Sequence, residues 1–314
     1  MKILFHENFL NKRGTSVALF DYAYYNQEIL GNESIIITNG NMFNDPEVVK
    51  KFKSHFEVIH YTNFSDINDI VKSKMIDVFY IIKSGENDNM LVDGVKNVVH
   101  SVFNGSITQK HGDVYATVSE WLSSLSDFKI PYVPHMINLP NIETDLSGEL
   151  GINKNDIVVG RYGGNETFDI DFVKESIKNI LGVRKDITFL FLNTNRFITH
   201  DKVIFLNGTS DLEYKAKFIN TCDVMLHARM QGESFGLSVL EFACKNKQII
   251  TYGLSPEKSH LIYLKNNCHI YNDSNELYGI FNVLSKNNPF DTNYLNNTFS
   301  PKNVMKKFKE VFYE

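Results

Sequence analysis

Cysteine is scarce in this chain of 314 residues, which holds only Cys222, Cys244 and Cys268. An odd number without ligand spacing argues against a disulfide framework or a zinc site and reads as reduced interior thiols. A basic surplus is also missing: 32 Lys+Arg stand against 37 Asp+Glu, a formal net charge of -5. Proteins that neutralise nucleic-acid phosphates need such a surplus or stripe, so nucleic acid is not an expected partner. No run approaches the roughly 18 apolar residues of a membrane span. The amino end, Met1 to Glu7, turns polar before a secretory apolar region can form. Asn-X-Ser/Thr triplets begin at Asn32, Asn63, Asn104, Asn165, Asn207, Asn272 and Asn296; without a leader they read as chance in an asparagine-rich chain. The expectation is a soluble, cytoplasmic protein. The G-x-G-x-x-G fingerprint and the P-loop lysine are absent, so nothing suggests a dehydrogenase or a kinase.

What is present is an ordinary globular balance, 43% hydrophobic and 22% charged, with length enough for two domains. Short apolar runs alternate with helix-period segments. Strands are expected at Lys2–His6, Glu33–Thr38, Phe56–Tyr61, Asp77–Lys83, Asn97–Phe103 and Asp113–Ser119, and their continuous apolar character suits parallel strands covered on both faces. Helices are expected at Thr15–Leu30 (closed by Gly31), Asp45–Ser54, Asp66–Ser73 and Ser119–Phe128. Pro131, Pro134 and Pro140 then crowd three of seven prolines into an extended connector. Beyond it the strands Asp156–Tyr162, Ile187–Asn193, Lys202–Leu206, Asp223–His227 and Gln248–Tyr252 alternate with helices at Asp169–Leu181, Asp211–Asn220, Gly236–Lys245, Pro256–Lys265, Ser274–Ser285 and Pro301–Tyr313. This alternation predicts an α/β protein of two Rossmann-like, doubly wound domains. Their expected limits are 1–138 and 151–300, with a proline-rich hinge at 139–150 and a final helix, 301–314, returning to the first domain.

Such an architecture places ligands at the carboxyl ends of strands, in a cleft between the domains. The segment from His227 to Glu241 meets that test: a strand ends, a polar loop with Gly232 and Gly236 follows, and a helix begins. Unsatisfied N–H groups at a helix start suit a phosphate or a sugar hydroxyl. Glu233 lies in the loop and Glu241 about one and a half turns into the helix, where both could line one elongated ligand. The bland alternative makes Glu233 a cap support and Glu241 a solvated residue. Asp169-Ile170-Asp171 has the form of a metal motif but sits at a helix start, where acids favour the dipole, so no metal site is assigned.

Glu233 and Glu241, with seven residues between them that include Ser234-Phe235-Gly236, resemble the E-x7-E motif of retaining GT-B glycosyltransferases of the group 1 (family-4-like) type. Asp223 to Ala228 resembles the strand before that motif, Gly160-Arg161 the family's diphosphate segment, and Gly14-Thr15-Ser16 its amino-terminal glycine loop. The resemblance runs over almost the whole chain. It implies a hexosyltransferase that moves a sugar from a nucleotide-diphosphate donor (UDP or GDP) to an acceptor hydroxyl, with retention and without metal or other cofactor. By the same resemblance Glu233 contacts the donor sugar, Glu241 the ribose, Arg161 the diphosphate, and Ser234, Phe235 and Gly236 offer backbone N–H groups. Asn207 and Gly208, at another strand end, would hold the base by backbone contacts.

The family's lysine after its Gly-Arg pair is missing, since this chain reads Asn165-Glu166-Thr167-Phe168-Asp169. Arg229, Lys202 or Arg196 could supply the cation, and Arg229 is preferred because it leads to Glu233. His100 interrupts an apolar strand, as either a satisfied interior residue or, by the resemblance, a ligand of the donor sugar; His111 is a weaker version of that idea. Gly14 and Thr15 either approach phosphate or sugar through their amides or form a plain turn with Thr15 or Ser16 as N-cap. The acceptor stays open among a saccharide, a lipid and a protein-linked glycan, and with it a peripheral membrane contact. A nucleotide-sugar 2-epimerase on the same fold and a non-catalytic nucleotide-sugar binder are the alternatives.

Overall fold

Runs of β-branched and aromatic residues that a sheet can bury on both faces give this chain two parallel six-stranded sheets. The computed structural model describes residues 1–286 and 291–314. It divides into two units, Met1–Met136 with Thr298–Glu314, and Ile137–Asn297. In the first unit β1 (Lys2–Glu7), β2 (Glu33–Asn39), β3 (Glu57–Tyr61), β4 (Val78–Lys83), β5 (Lys96–Ser101) and β6 (Val114–Thr117) stand in the order β3-β2-β1-β4-β5-β6. The connecting helices include α1 (Gly14–Glu28), α2 (Pro46–Lys53), α3 (Ile67–Lys74) and α4 (Glu120–Ser124). Leu4, Ile35, Ile37, Phe79, Ile81 and Val99 form the core on one face of the sheet. Strand order reverses between β1 and β4, the switch point at which open α/β sheets take ligands.

The second unit repeats the plan. Its strands are β7 (Ile157–Tyr162), β8 (Ile187–Leu192), β9 (Val203–Leu206), β10 (Val224–His227), β11 (Gly232–Glu233), β12 (Gln248–Tyr252), β13 (Glu257–Lys258) and β14 (His269–Tyr271). Six of them form the sheet β14-β12-β10-β7-β8-β9, while β11 and β13 pair with each other, so this switch point lies between β7 and β10. The helices are α5 (Asp171–Val183), α6 (Leu212–Thr221), α7 (Leu237–Cys244), α8 (Ser259–Leu264), α9 (Ser274–Val283) and α10 (Tyr294–Thr298). Val173, Ile177, Phe189, Phe191, Leu226, Ile250 and Phe281 fill the core. The last helix, α11 (Pro301–Phe312), belongs to the first unit, where the Phe308 ring packs 5.1 Å from Tyr22 and Phe312 5.1 Å from His100.

Several helix starts follow directly from local chemistry. Asp45, Asp211 and Asp273 each accept backbone N–H groups from the first turn of the helix that follows, and Ser300 accepts one ahead of α11. Pro46 and Pro301 occupy first positions where no N–H is needed. Elsewhere the structure corrects the sequence reading. The helix expected over Ser119–Phe128 stops at Ser124, and Asp127 and Phe128 turn left-handed at φ 51° and 60°. The helix expected from Pro256 begins at Ser259, because Glu257 and Lys258 extend to pair with Gly232 and Glu233. Neither β14, three residues with one buried side chain, nor α10 carried a readable period. Among the described residues no helix is long and apolar enough to cross a membrane.

Candidate active site

At the second unit's switch point, β10 ends in His227 and the chain turns through Arg229 into β11, which carries Glu233. The Glu233 side chain is 17% exposed, and its two oxygens meet different partners: His227 Nε2 at 3.1 Å from Oε1, and Arg229 Nη1 at 3.0 Å from Oε2. Burial by itself would raise this carboxyl, but the hydrogen bond from His227 and the charges of its neighbours outweigh it and hold the pKa at about 2. The group is an anion at neutral pH. Behind it runs a buried chain of polar contacts, His227 Nδ1 to Thr251 Oγ1 at 2.8 Å and Thr251 Oγ1 to His260 Nε2 at 3.0 Å. Burial, with His227 close by, lowers His260 to about 3, so its ring is neutral.

Gly236 ends the loop at φ +95°, and a Cβ there would lie 3.1 Å from His260 Cβ and 3.2 Å from Glu233 Cβ. Only glycine combines that backbone with that space. Helix α7 then starts with no side-chain hydrogen bond at its cap. Phe235 is buried against Tyr263, which fixes the loop ahead of the helix. Glu241, far from being a solvated residue, is buried and bonded to Lys215 Nζ of α6 at 2.6 Å. The Lys215 ammonium lies 5.5 Å from the Tyr162 ring centre. The hydroxyl of Tyr162 is buried with no partner among the described residues.

Arg161 is held by acceptors of the protein itself. The sequence reading aims it at a diphosphate, yet the residue is buried and its fork is occupied by protein acceptors. Nη1 donates to Thr194 Oγ1 at 2.6 Å and Asn193 O at 3.2 Å, and Nη2 to Thr167 Oγ1 at 2.7 Å and Gly164 O at 2.8 Å. It braces the loops after β7 and β8 and presents no free fork. Gly160 before it is set by packing, since a Cβ would fall 2.2 Å from Cys222 Sγ. Asn193 completes the brace: it turns at φ 51°, donates to Gly163 O at 2.7 Å, and lies against Gly208, where a Cβ would sit 2.7 Å from its Oδ1. Gly208 is half-buried and Asn207 exposed at this end of β9.

Of the three cations considered for the missing lysine, Arg229 stands beside Glu233. Lys202 pairs with Asp156 at the amino ends of the strands, opposite the switch point. Arg196 lies over the Phe205 ring at 5.3 Å. Asp169 ties loops together by accepting the Met230 N–H at 2.7 Å, and Asp171 pairs with Lys174.

In the first unit His100 lies in the interior. It is fully buried, with Nδ1 2.6 Å from Tyr80 Oη and Nε2 2.9 Å from Val133 O, and burial lowers it to about 4. His111 lies 3.0 Å from Lys83 Nζ and is buried as well. Gly14 is exposed at the start of α1, but the hydroxyls after it cap nothing. Ser16 Oγ donates to Glu7 Oε2 at 2.7 Å, and Thr15 bonds the same carboxyl.

Glu7 ends β1, next to the switch point, and burial raises its pKa from 4.5 to about 7 despite those hydroxyls. The folded state therefore holds a proton that the unfolded chain has lost between pH 4.5 and 7. Stability from this group is full below pH 4.5 and falls as pH rises to 7. Glu7→Gln is expected to be more stable than the parent at pH 8 by of order 1–3 kcal/mol and to lose that advantage at pH 4.5. Urea titrations at the two pH values check this.

No family model matches the chain, and no curated protein matches it. Solved structures do, over nearly its full length. HepE of Anabaena, solved with UDP and glucose, is 14% identical with a TM-score of 0.74, and the match covers 99% of this chain and 98% of that one. A glycosyltransferase from Rickettsia africae is 14% identical at a TM-score of 0.67, covering 99% and 94%. A Listeria monocytogenes protein described as a UDP-N-acetylglucosamine 2-epimerase is 10% identical at 0.61, covering 99% and 96%. The fold is GT-B.

On this GT-B scaffold the structure gathers Arg229, Glu233, Phe235 and Gly236 on one loop, with Ser234 half-buried among them. Glu241 and Arg161 stand behind them in buried networks of their own. The reading missed Thr251, His260, Asn193, Lys215 and Glu7. A histidine in an expected helix (His260) and an acid closing the first strand (Glu7) were the only signals available for any of them.

Proposed function

We propose that this protein is a glycosyltransferase that moves a sugar from a nucleoside-diphosphate-sugar donor to an acceptor hydroxyl, with retention and without a metal. The observation that carries the reading is Glu233, held ionised by His227 and Arg229 beside the uncapped start of α7 on a GT-B fold. An anion so placed accepts hydrogen bonds from sugar hydroxyls and favours positive charge developing at the anomeric carbon. In the proposed step the acceptor oxygen bonds that carbon while its bond to the diphosphate oxygen breaks. The departing diphosphate takes the acceptor's proton on the same face. Arg229 and the N–H groups of Ser234, Phe235 and Gly236 meet its charge, and Arg161 positions the neighbouring loops. Glu241, with Lys215 and the Tyr162 hydroxyl, receives the ribose, and the backbone of Asn207 and Gly208 receives the base.

The UDP bound to HepE makes a uridine donor the first to try. A thermal-shift series with UDP, GDP, ADP, CMP and dTDP, each with and without Mg²⁺, tests the reading. One diphosphate should stabilise the protein equally in both conditions, and its sugar conjugates should then release diphosphate on turnover. Silence with all five would sink the proposal. Similarity to the Listeria protein supports an epimerase as the second reading. That enzyme would convert UDP-N-acetylglucosamine to its epimer, seen by NMR, with no acceptor and no net diphosphate release. A binder would shift in melting and turn over nothing.

A further inference from the structure

The carboxyl ends of β4 and β5 in the first unit open onto a groove of about 580 Å³, within the size range of small-ligand sites. Its apolar lining comes from Phe103, Ile107 and Leu125, all exposed; Phe103 presents 51% of its surface. Glu86, Asn104 and Asp127 supply polar groups among them. Lys129 adds one ammonium, 3.9 Å from the Asp127 carboxylate, so the lining carries two acids against one base.

Hydrogen bonds hold two of the segments that line this groove, the loops after β4 and β5, before any ligand arrives. The Tyr115 hydroxyl donates to Gly85 O at 2.7 Å, and Ser101 Oγ donates to Asn104 O at 2.8 Å. Gly85 has φ +100°, and a Cβ there would lie 1.9 Å from Ser101 Oγ, so the loop after β4 is pressed against β5. Lys83 Nζ pairs with Asp88 and lies 3.0 Å from His111 Nε2, while the Asn87 N–H donates to Gln109 Oε1 at 2.9 Å. These contacts join the loop after β4 to the loop after β5. Little ordering cost then remains for binding.

We propose that this groove is an acceptor subsite for a neutral or amino pyranoside, stacked on Phe103 and hydrogen-bonded through Glu86 and Asn104. This rests on the glycosyltransferase reading. An aromatic face suits the C–H face of a sugar ring, and a carboxylate accepts hydroxyl hydrogens strongly. The acid excess disfavours a uronate, a phosphosugar or an anionic lipid surface.

Saturation-transfer NMR on the full chain, with methyl β-glucopyranoside, methyl β-glucosaminide and methyl β-glucuronide as probes, tests the assignment. The first two should give signal, strongest at ring C–H positions, and the glucuronide should bind at least about tenfold more weakly. Phe103→Ala should weaken binding about tenfold, as expected for a lost aromatic contact. Glu86→Gln, a change at an exposed site, should weaken it severalfold and abolish discrimination against the glucuronide. The melting shift with UDP should be unchanged in both variants. Absence of signal from every glycoside, equal binding of all three, or binding unaffected by both substitutions would overturn the subsite. So would sedimentation with phosphatidylglycerol vesicles that Phe103→Ala abolishes, because the face would then be a lipid contact. A failure of the glycosyltransferase reading shows separately, as no response to any nucleoside diphosphate.

Discussion

Glu233→Gln is expected to reduce turnover about 10²–10³-fold, the effect usual for losing one fixed electrostatic contact to a transition state. UDP affinity should change by less than about threefold, because on the proposed roles this carboxylate faces the sugar and not the nucleotide. Glutamine keeps the shape and one acceptor oxygen, but it removes the charge that His227 and Arg229 hold in place. Stability responds too, and the direction follows from the depressed pKa. Ionised Glu233 stabilises the fold above pH 4.5, and that contribution disappears as pH falls toward about 2. The variant should therefore melt below the parent at pH 7, with the gap closing in acid. Rates must be compared at a temperature where both are folded. Turnover within threefold of the parent would remove the carboxylate from the reaction. Equal losses of UDP binding and turnover would mean that the loop had collapsed.

The fold was legible because its signals are local. A parallel strand covered on both faces is a continuous apolar run, and Asp45, Asp211 and Ser300 announce the helices that follow them. The loop from His227 to Gly236 was legible for a similar reason, since strand end, glycine and helix start are contiguous. Other parts of the site were hidden because they depend on partners far along the chain. Lys215 reaches Glu241 across 26 residues and Thr251 reaches His227 across 24. Arg161 shows the same limit from the other side. Sequence reveals a guanidinium after a strand, but not that Thr167, Gly164, Asn193 and Thr194 surround it. His100 looked like a polar intruder in an apolar strand until Tyr80 and the Val133 carbonyl supplied its partners.

Breaking the buried pair between Lys215 and Glu241 is expected to be the most destabilising single change, about 3–5 kcal/mol for Glu241→Ala, because it strands an ammonium away from water. Lys215→Ala should be similarly harmful for the opposite charge. Replacing both at once, Lys215→Met with Glu241→Leu, should recover much of the loss, since neither charge is then left without its partner. Stability alone cannot say whether Glu241 also receives a ribose, so the nucleotide must supply that readout. If Glu241 accepts a ribose hydroxyl, the parent should prefer UDP to 2′- or 3′-deoxy-UDP by about tenfold, the worth of one charge-assisted hydrogen bond. Glu241→Gln, assayed below its melting point, should bind UDP about tenfold more weakly and lose that preference, whereas Lys215→Met should retain part of it. Calorimetry on the three ligands reads both effects. A parent that binds UDP and both deoxy nucleotides equally would confine Glu241 to its ion pair and move the ribose to another part of the switch point.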